Sequence, residues 1–291
     1  MNRESKRMNK WIHKIVVMSL LVLCAFPFTV AAASAQTGVA ANVTIKLDGK
    51  AVKLQDPVRI KDGRLYMPAS RAAELFDAKK ISWNGVNDEA TIHTAAGNKI
   101  VLGNGVPVVY YNGTRYLMDA EPFLKSGRIY VPLRYVAELL QLTVDWNNKS
   151  QTAEFEEAQG ADKAIAIPKA KAYTEKDYLL LAKITQVESG NESYEGQLGV
   201  ANVILNRVKD SRFPDSVRDV IYSGKQFPPA HNGLLDKSIP NASVLRAAKD
   251  ALNGKNNVEK ALYFYNPQVS NGSFWDSLDI IKKIGHHAFA R

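Results

Sequence analysis

Glu188 stands where an apolar residue belongs. Thr174 with Asp177 three residues on forms a loose capping box, Leu181 and Ile184 recur at helical spacing, and Glu188 continues their stripe before Gly190 stops the helix. Taking an ionised carboxylate out of water costs several kcal/mol, so a glutamate at such a position holds its proton more tightly and is suited to act as a general acid. The alternative is a side chain that fans past Gly190 into solvent, because terminal-turn positions shift easily by a residue or two. Glu192 and Glu195 are the nearest other carboxylates. They fall on the turn that follows, where acidic residues usually cap the next helix, so both read as structural or solvated, with Ser193 or Glu192 as the cap.

The elements that must hold Glu188 follow from the pattern around it. Leu198, Ala201, Ile204, Leu205 and Val208 predict a strongly apolar helix able to cover the first, ended on a polar note by Asn206 and Arg207. Phe213 to Ser216 predicts a turn and cap for a short helix to Tyr222. A further helix is expected from about Ser243 to Asn253, stopped at Gly254, and Ala261 to Pro267 reads as a short extended segment. His286 and His287 are adjacent and so point to different sides, no His-Glu-x-x-His occurs, and His231 is the only other histidine in this half. No metal site is expected, and with neither a Gly-x-Ser-x-Gly elbow nor a Gly-rich phosphate loop, no cofactor either. Acid/base chemistry remains.

The N-terminal half is a duplication. Gly63-Arg64-Leu65-Tyr66-Met67-Pro68 matches Gly127-Arg128-Ile129-Tyr130-Val131-Pro132, Gly49 matches Gly113, Ala73-Glu74-Leu75 matches Ala137-Glu138-Leu139, and Trp83 matches Trp146 after a one-residue deletion. Each copy alternates apolar and polar residues around an Asp-Gly or Asn-Gly turn, as in Val43 to Gly49, which predicts hairpins. A short helix follows each proline (Ser70 to Phe76, Leu133 to Leu140), then a strand bearing the tryptophan. Residues 156 to 171 are small, charged and without a sustained apolar period, the composition of a linker.

This duplicated pattern, over residues 43 to 157, resembles the copper amine oxidase N-terminal-like, or stalk, domain of secreted wall-associated proteins. With a lone His93 in the segment, the name implies no copper chemistry here. Tyr110, Tyr111 and Tyr116 could contact a glycan, though alternating strand aromatics more often fill a core. The module reads as a spacer or wall-binding platform. In the second half, the run Val187-Glu188-Ser189-Gly190-Asn191-Glu192-Ser193-Tyr194-Glu195-Gly196-Gln197, followed by Val203 to Val208, resembles the glutamate-bearing signature of the spore cortex-lytic, cell wall hydrolase family. Phe213-Pro214, Gln226-Phe227, Tyr265-Asn266-Pro267 and Gly285 to Phe289 fall in that family's order. Ser189 replaces the alanine of many relatives, and the stalk-like module stands where relatives acting on spore cortex commonly carry a peptidoglycan-binding repeat. The resemblance covers roughly residues 174 to 291. It implies a small, mainly helical, lysozyme-like domain that cuts peptidoglycan glycan strands between N-acetylmuramic acid and N-acetylglucosamine as a lytic transglycosylase, with Glu188 carrying the catalysis. Phe227, Tyr263 and Tyr265 are then candidates to stack on or position the sugars, with Gln226 and Asn266 offering amide hydrogen bonds. The other reading of the rings is core packing.

The first 35 residues read as an address. Arg3, Lys6, Arg7, Lys10 and Lys14 precede an apolar stretch from Ile15 to Phe26, and Ala33-Ser34-Ala35 supplies a small-x-small cleavage site. The stretch is too short for a spanning helix, so the mature chain is expected to carry no membrane span; the alternative is an uncleaved N-terminal anchor, and export is expected either way. Cys24, the only cysteine, lies inside that stretch, which leaves no disulfide, thiol nucleophile or thiolate metal site beyond. Lys and Arg number 38 against 29 acids, but without these 35 residues the balance is 33 against 28, and no basic run exceeds two. Nucleic acid is not an expected partner; an anionic polymer or surface is compatible.

The expected architecture is α+β: a signal peptide at 1–35, a β-rich stalk-like module with an internal repeat at 37–157, a linker at 158–171 and a helical cell wall hydrolase domain at 172–291. The expected location is outside the cell, at the wall or spore cortex. Two other functions stay open, a muramidase that uses water in place of an internal nucleophile, and a noncatalytic peptidoglycan-binding protein.

Overall fold

The computed structural model of the chain describes residues 38–39, 43–158, 165–224 and 226–291. The expected signal peptide, 1–35, lies outside the described residues. No helix among them is long and apolar enough to cross a membrane.

The duplication is built on its turns. Asp48-Gly49 and Asn112-Gly113, and likewise Asp62-Gly63 and Ser126-Gly127, hold φ between 48° and 82° at both positions, the backbone of the tight hairpin turn that matches strand twist. The strands that follow the second pair of turns, Arg64–Pro68 and Arg128–Pro132, lie antiparallel with Met67 opposite Val131, so the two copies meet through their matching motifs. Each proline ends its strand and opens a seven-residue helix, α1 (Ala69–Leu75) and α2 (Leu133–Leu139). The tryptophan hairpin of the second copy, Leu142–Asn147 with Thr152–Glu157, takes Thr44–Leu47 of the first copy as a parallel neighbour. The equivalent hairpin of the first copy extends into a five-stranded meander, Ala78–Asn84 to Thr114–Leu117. Met67, Ile92, Ile100, Leu133, Leu139 and Phe155 form one core between the sheets.

The segment with linker composition is seated where it is described. Ile167 is buried, the backbone N–H groups of Ala166 and Ile167 donate to Glu138 Oε1, and Tyr116 and Lys169 form an antiparallel bridge. Ile165 and Ile167 alternate with alanines, a period-two pattern short enough to be lost among charged neighbours. Residues 165–170 are therefore a strap on the β module.

Helix α3 (Glu175–Ser189) starts at the complete capping box of Thr174 and Asp177. Helix α4 (Tyr194–Lys209) is capped by Ser193 and buried from Gly196 to Leu205, which makes it the axis of the domain. Gly199 is required there, since a Cβ would stand 2.6 Å from Phe289 Cζ. The short helix α5 (Val217–Tyr222) and the longer α7 (Ala242–Leu252) pack against it, and α6 (Leu234–Lys237) packs on α3. A three-stranded antiparallel sheet completes the domain, with His287–Ala290 between Tyr263–Tyr265 and Ile280–Ile284; α8 (Ser273–Asp276) precedes its last hairpin. The fold is α+β, β-rich first and mainly helical after, as expected.

Candidate active site

Glu188 lies four residues beyond fully buried Ile184, in the last turn of α3. Glu188 lines a cleft of about 440 Å³ walled by Gln186–Glu192 on one side and by Asn266, His286 and His287 on the other. Among the described residues nothing hydrogen-bonds or pairs with its carboxyl. Desolvation by burial raises its pKa above the ordinary 4.5, and the negative end of the α3 dipole acts in the same direction. A carboxyl that is desolvated, unpaired and at the wall of a cleft is equipped to hold a proton and to pass it on.

Glu192 shares the cleft but not this environment. His286 Nδ1 stands 2.7 Å from its Oε1, and the His286 backbone N–H donates to Oε2 at 3.4 Å. Desolvation pushes the Glu192 pKa up, but the hydrogen bonds and charge of His286 and the charge of His287 together more than offset this and lower it from the ordinary 4.5. Ser193 is the cap of α4, one of the two caps expected, and Glu192 instead pairs with His286 at the wall of the cleft. Two carboxylates whose surroundings push their pKa values apart form the usual pattern of an acid beside a permanent anion. Glu195 is exposed on α4 and held by Asn257 Nδ2 at 2.8 Å, away from the cleft.

Side chains given no role from the sequence tie the end of α3 and the loop after it to the neighbouring helices. Gln197, buried among apolar neighbours, donates through Nε2 to the carbonyls of Glu192 (2.8 Å) and Gly190 (3.3 Å) and accepts from Ser243 Oγ at 2.6 Å. Gln186 accepts from the Asn241 backbone N–H at 2.9 Å. A buried glutamine inside an apolar helix was the signal available. Gly190 ends α3 in the right-handed region, not the left-handed one; it is glycine because a Cβ would stand 2.5 Å from the Gln186 carbonyl oxygen. Gly285 needs both freedoms, with φ at 55° and Glu192 Oε2 where a Cβ would be. His287 also faces the cleft; desolvation lowers its pKa, and it packs edge-on to Phe264. Ser189 Oγ turns back on its own helix to the Thr185 carbonyl.

Of the residues expected to contact sugar, Asn266 lines the cleft with Glu188 and the others do not. Phe227 is 1% exposed in the helical core, so its face is closed to a ligand, and Tyr265 is buried against Trp275 with ring centres 4.8 Å apart. Tyr263 packs edge-on to Phe274, and Gln226 is exposed outside the cleft. The reason is Arg207. Read as a polar helix end, it is buried, donates to the Leu262 carbonyl at 2.7 Å and is boxed by Phe213, Phe227 and Tyr263; desolvation pulls its pKa to about 10. The aromatics enclose a guanidinium. In the β module, Tyr111 and Tyr116 pack on the core while Tyr110 reaches Asn253 of the helical domain. That module also holds a cavity of about 520 Å³, lined by Tyr135, Trp146 and Phe155 among others, with none of the cleft residues in its walls.

Residues 191–290 match the Cell Wall Hydrolase family and residues 46–155 match the Copper amine oxidase N-terminal domain. The C-terminal part of the chain is a cell wall hydrolase domain. Glu188 stands just ahead of the matched span and Glu192 inside it. Similar proteins include the spore cortex-lytic enzyme of Bacillus cereus, 34% identical over 149 residues, which are 51% of this chain and 56% of that one. The spore cortex-lytic enzyme of Bacillus subtilis is 36% identical over 126 residues, 43% of this chain and 41% of that one. A solved relative, the catalytic domain of the germination-specific lytic transglycosylase SleB from Bacillus anthracis, is 35% identical; the likeness covers 42% of this chain and 99% of that chain with a TM-score of 0.40. The chain spans about half the length of the curated relatives it matches.

Proposed function

We propose that this protein is an exported enzyme that cleaves peptidoglycan glycan strands between N-acetylmuramic acid and N-acetylglucosamine, as a lytic transglycosylase with Glu188 as its general acid and base. The observation that carries the reading is Glu188, raised in pKa, without a partner among the described residues and lining a cleft. The cell wall hydrolase domain and its likeness to spore cortex-lytic enzymes support the substrate class.

The chemistry needs one proton carrier. Protonated Glu188 gives its proton to the glycosidic oxygen as the C1–O bond breaks, and the leaving sugar departs as an alcohol. The oxocarbenium-like centre left at C1 is positive, and an ionised Glu192 in the same cleft favours it. The muramyl C6 hydroxyl then attacks C1 and returns its proton to Glu188, closing a 1,6-anhydro ring. No water is consumed. A second reading follows from Glu192 itself: a permanently ionised carboxylate is what a hydrolase needs, as base or nucleophile, and the product would then keep a reducing muramic end.

Product analysis separates the two. Mass spectrometry of fragments released from vegetative and from cortex peptidoglycan is expected to show anhydro-muramic ends, lighter by one water than hydrolysed ends. Reducing ends alone would replace the transglycosylase by a muramidase. No release from either wall, with binding retained, would leave a noncatalytic peptidoglycan-binding protein. Comparing the walls also assigns the site of action, cortex or vegetative.

A further inference from the structure

We infer that the β module is docked on the helical domain as a brace for the cleft, and is not a spacer swinging on a linker. For its effect on turnover, though not for the docking, the inference rests on the proposed role of Glu188. At least eight hydrogen bonds among the described residues cross between the module and the end of the domain formed by α7 and residues 253–255. A standard protein interface carries about ten.

The seam is specific in shape and charge. Asn253 is buried, and its Oδ1 accepts from the Tyr110 hydroxyl at 3.0 Å and from two nitrogens of Arg115 at 3.0 and 3.2 Å. Arg115 also donates to the Leu252 carbonyl at 2.9 Å, placing a cation at the C-terminus of α7. The basic face of α7 meets acids of the module: Arg246 pairs with Asp88 at 2.6 Å and Lys249 with Glu89 at 2.7 Å. Gly254 has φ at 92°, and a Cβ there would stand 2.8 Å from Pro107 Cγ. The Oδ1 of a buried asparagine takes all three of its donors from the module, and Gly254, which ends α7, also leaves the space that Pro107 fills.

The same helix reaches the cleft. Asn241 caps its N-terminus and, from that cap, donates to Gln186 and to the Gly190 carbonyl. Ser243, in the first turn, holds Gln197, which fixes the loop carrying Glu192. Near the other end, Asp250 accepts from the hydroxyl of Tyr194, the first residue of α4 after that loop. One eleven-residue helix thus has the module on its outer side and the cleft loop on its inner side.

The test uses the full chain with Glu89→Lys, Lys249→Glu and the reciprocal double swap, none of which touches the cleft. Wild type is expected to melt in one calorimetric transition, each single reversal in two, and the swap again in one. Release of wall fragments is expected to fall roughly two- to thirtyfold in the single variants, through kcat, and to recover in the swap. Arg115→Gln, which unloads Asn253, serves as the milder variant should a reversal not fold. One transition and wild-type release in every folded variant would overturn the inference, as would a swap that restores nothing. Wild-type chain that melts in one transition but releases nothing would count against the enzyme reading and leave the docking standing.

Discussion

Glu188→Gln keeps the shape of the side chain and removes its proton. Because the carboxyl has no partner among the described residues, the change orphans no donor, and its consequences separate into chemistry and charge. General acid catalysis is worth about 10²–10⁴ in rate. Glu188 acts twice in the proposed cycle, and Glu192, held ionised by His286, cannot replace it as an acid, so a loss of about 10³ or more is expected, equivalent to about 4 kcal/mol of barrier. Stability should move the other way. Burial raises the folded pKa of Glu188 above its unfolded value, so the stability linked to its proton is fully present below about pH 4.5 and is lost as pH rises through the folded pKa. The glutamine variant escapes that loss. It should melt above wild type at neutral pH, and the difference should close in acid. The assay is release of soluble fragments from peptidoglycan, alongside thermal melting at pH 7 and pH 4. A variant that stays within tenfold of wild type in release, or that melts lower at pH 7 than wild type, would refute the reasoning.

Other substitutions probe the surroundings of that acid. His286→Ala removes the side-chain hydrogen bond that contributes most to lowering the Glu192 pKa and leaves the backbone N–H in place; the contribution of Glu192 is present above 4.5 and lost as pH falls through its folded pKa, so the acid limb of the activity profile should move up in pH. Gly285→Ala forces a Cβ into Glu192 Oε2 and a left-handed backbone on alanine, so melting should drop by the equivalent of about 1–2 kcal/mol and activity should fall with it. Phe227→Ala tests the core placement of that ring: about 3–5 kcal/mol of stability should be lost in denaturant titration, with KM unchanged in whatever folds. A raised KM with unchanged stability would return Phe227 to the sugar.

Periodicity and turn chemistry alone determined much of this protein. The capping box of Thr174 and Asp177, the stripe from Leu181 through Ile184 to Glu188, the paired Gly-Arg-x-Tyr-x-Pro motifs and their Asp-Gly and Asn-Gly turns are local patterns, each fixed by hydrogen bonds and backbone angles within a few residues. They were enough to place a carboxylate on the stripe of a helix that continues its buried residues, and to show the repeat. Partners distant in sequence were decided only by the tertiary structure. Phe227 and Tyr263 look alike as sugar platforms or as walls around Arg207, because an apolar ring signals burial without saying against what. Glu192 owes its low pKa to His286, brought to it by the return of the last hairpin. Ile165 and Ile167 bind to the β module only because its edge lies open beside them, and Asn253 Oδ1 finds its donors only because Tyr110 and Arg115 of that same sheet reach the end of α7. Local sequence sets which backbone a segment adopts; charge, burial and access at a site are sums over neighbours that packing alone assembles.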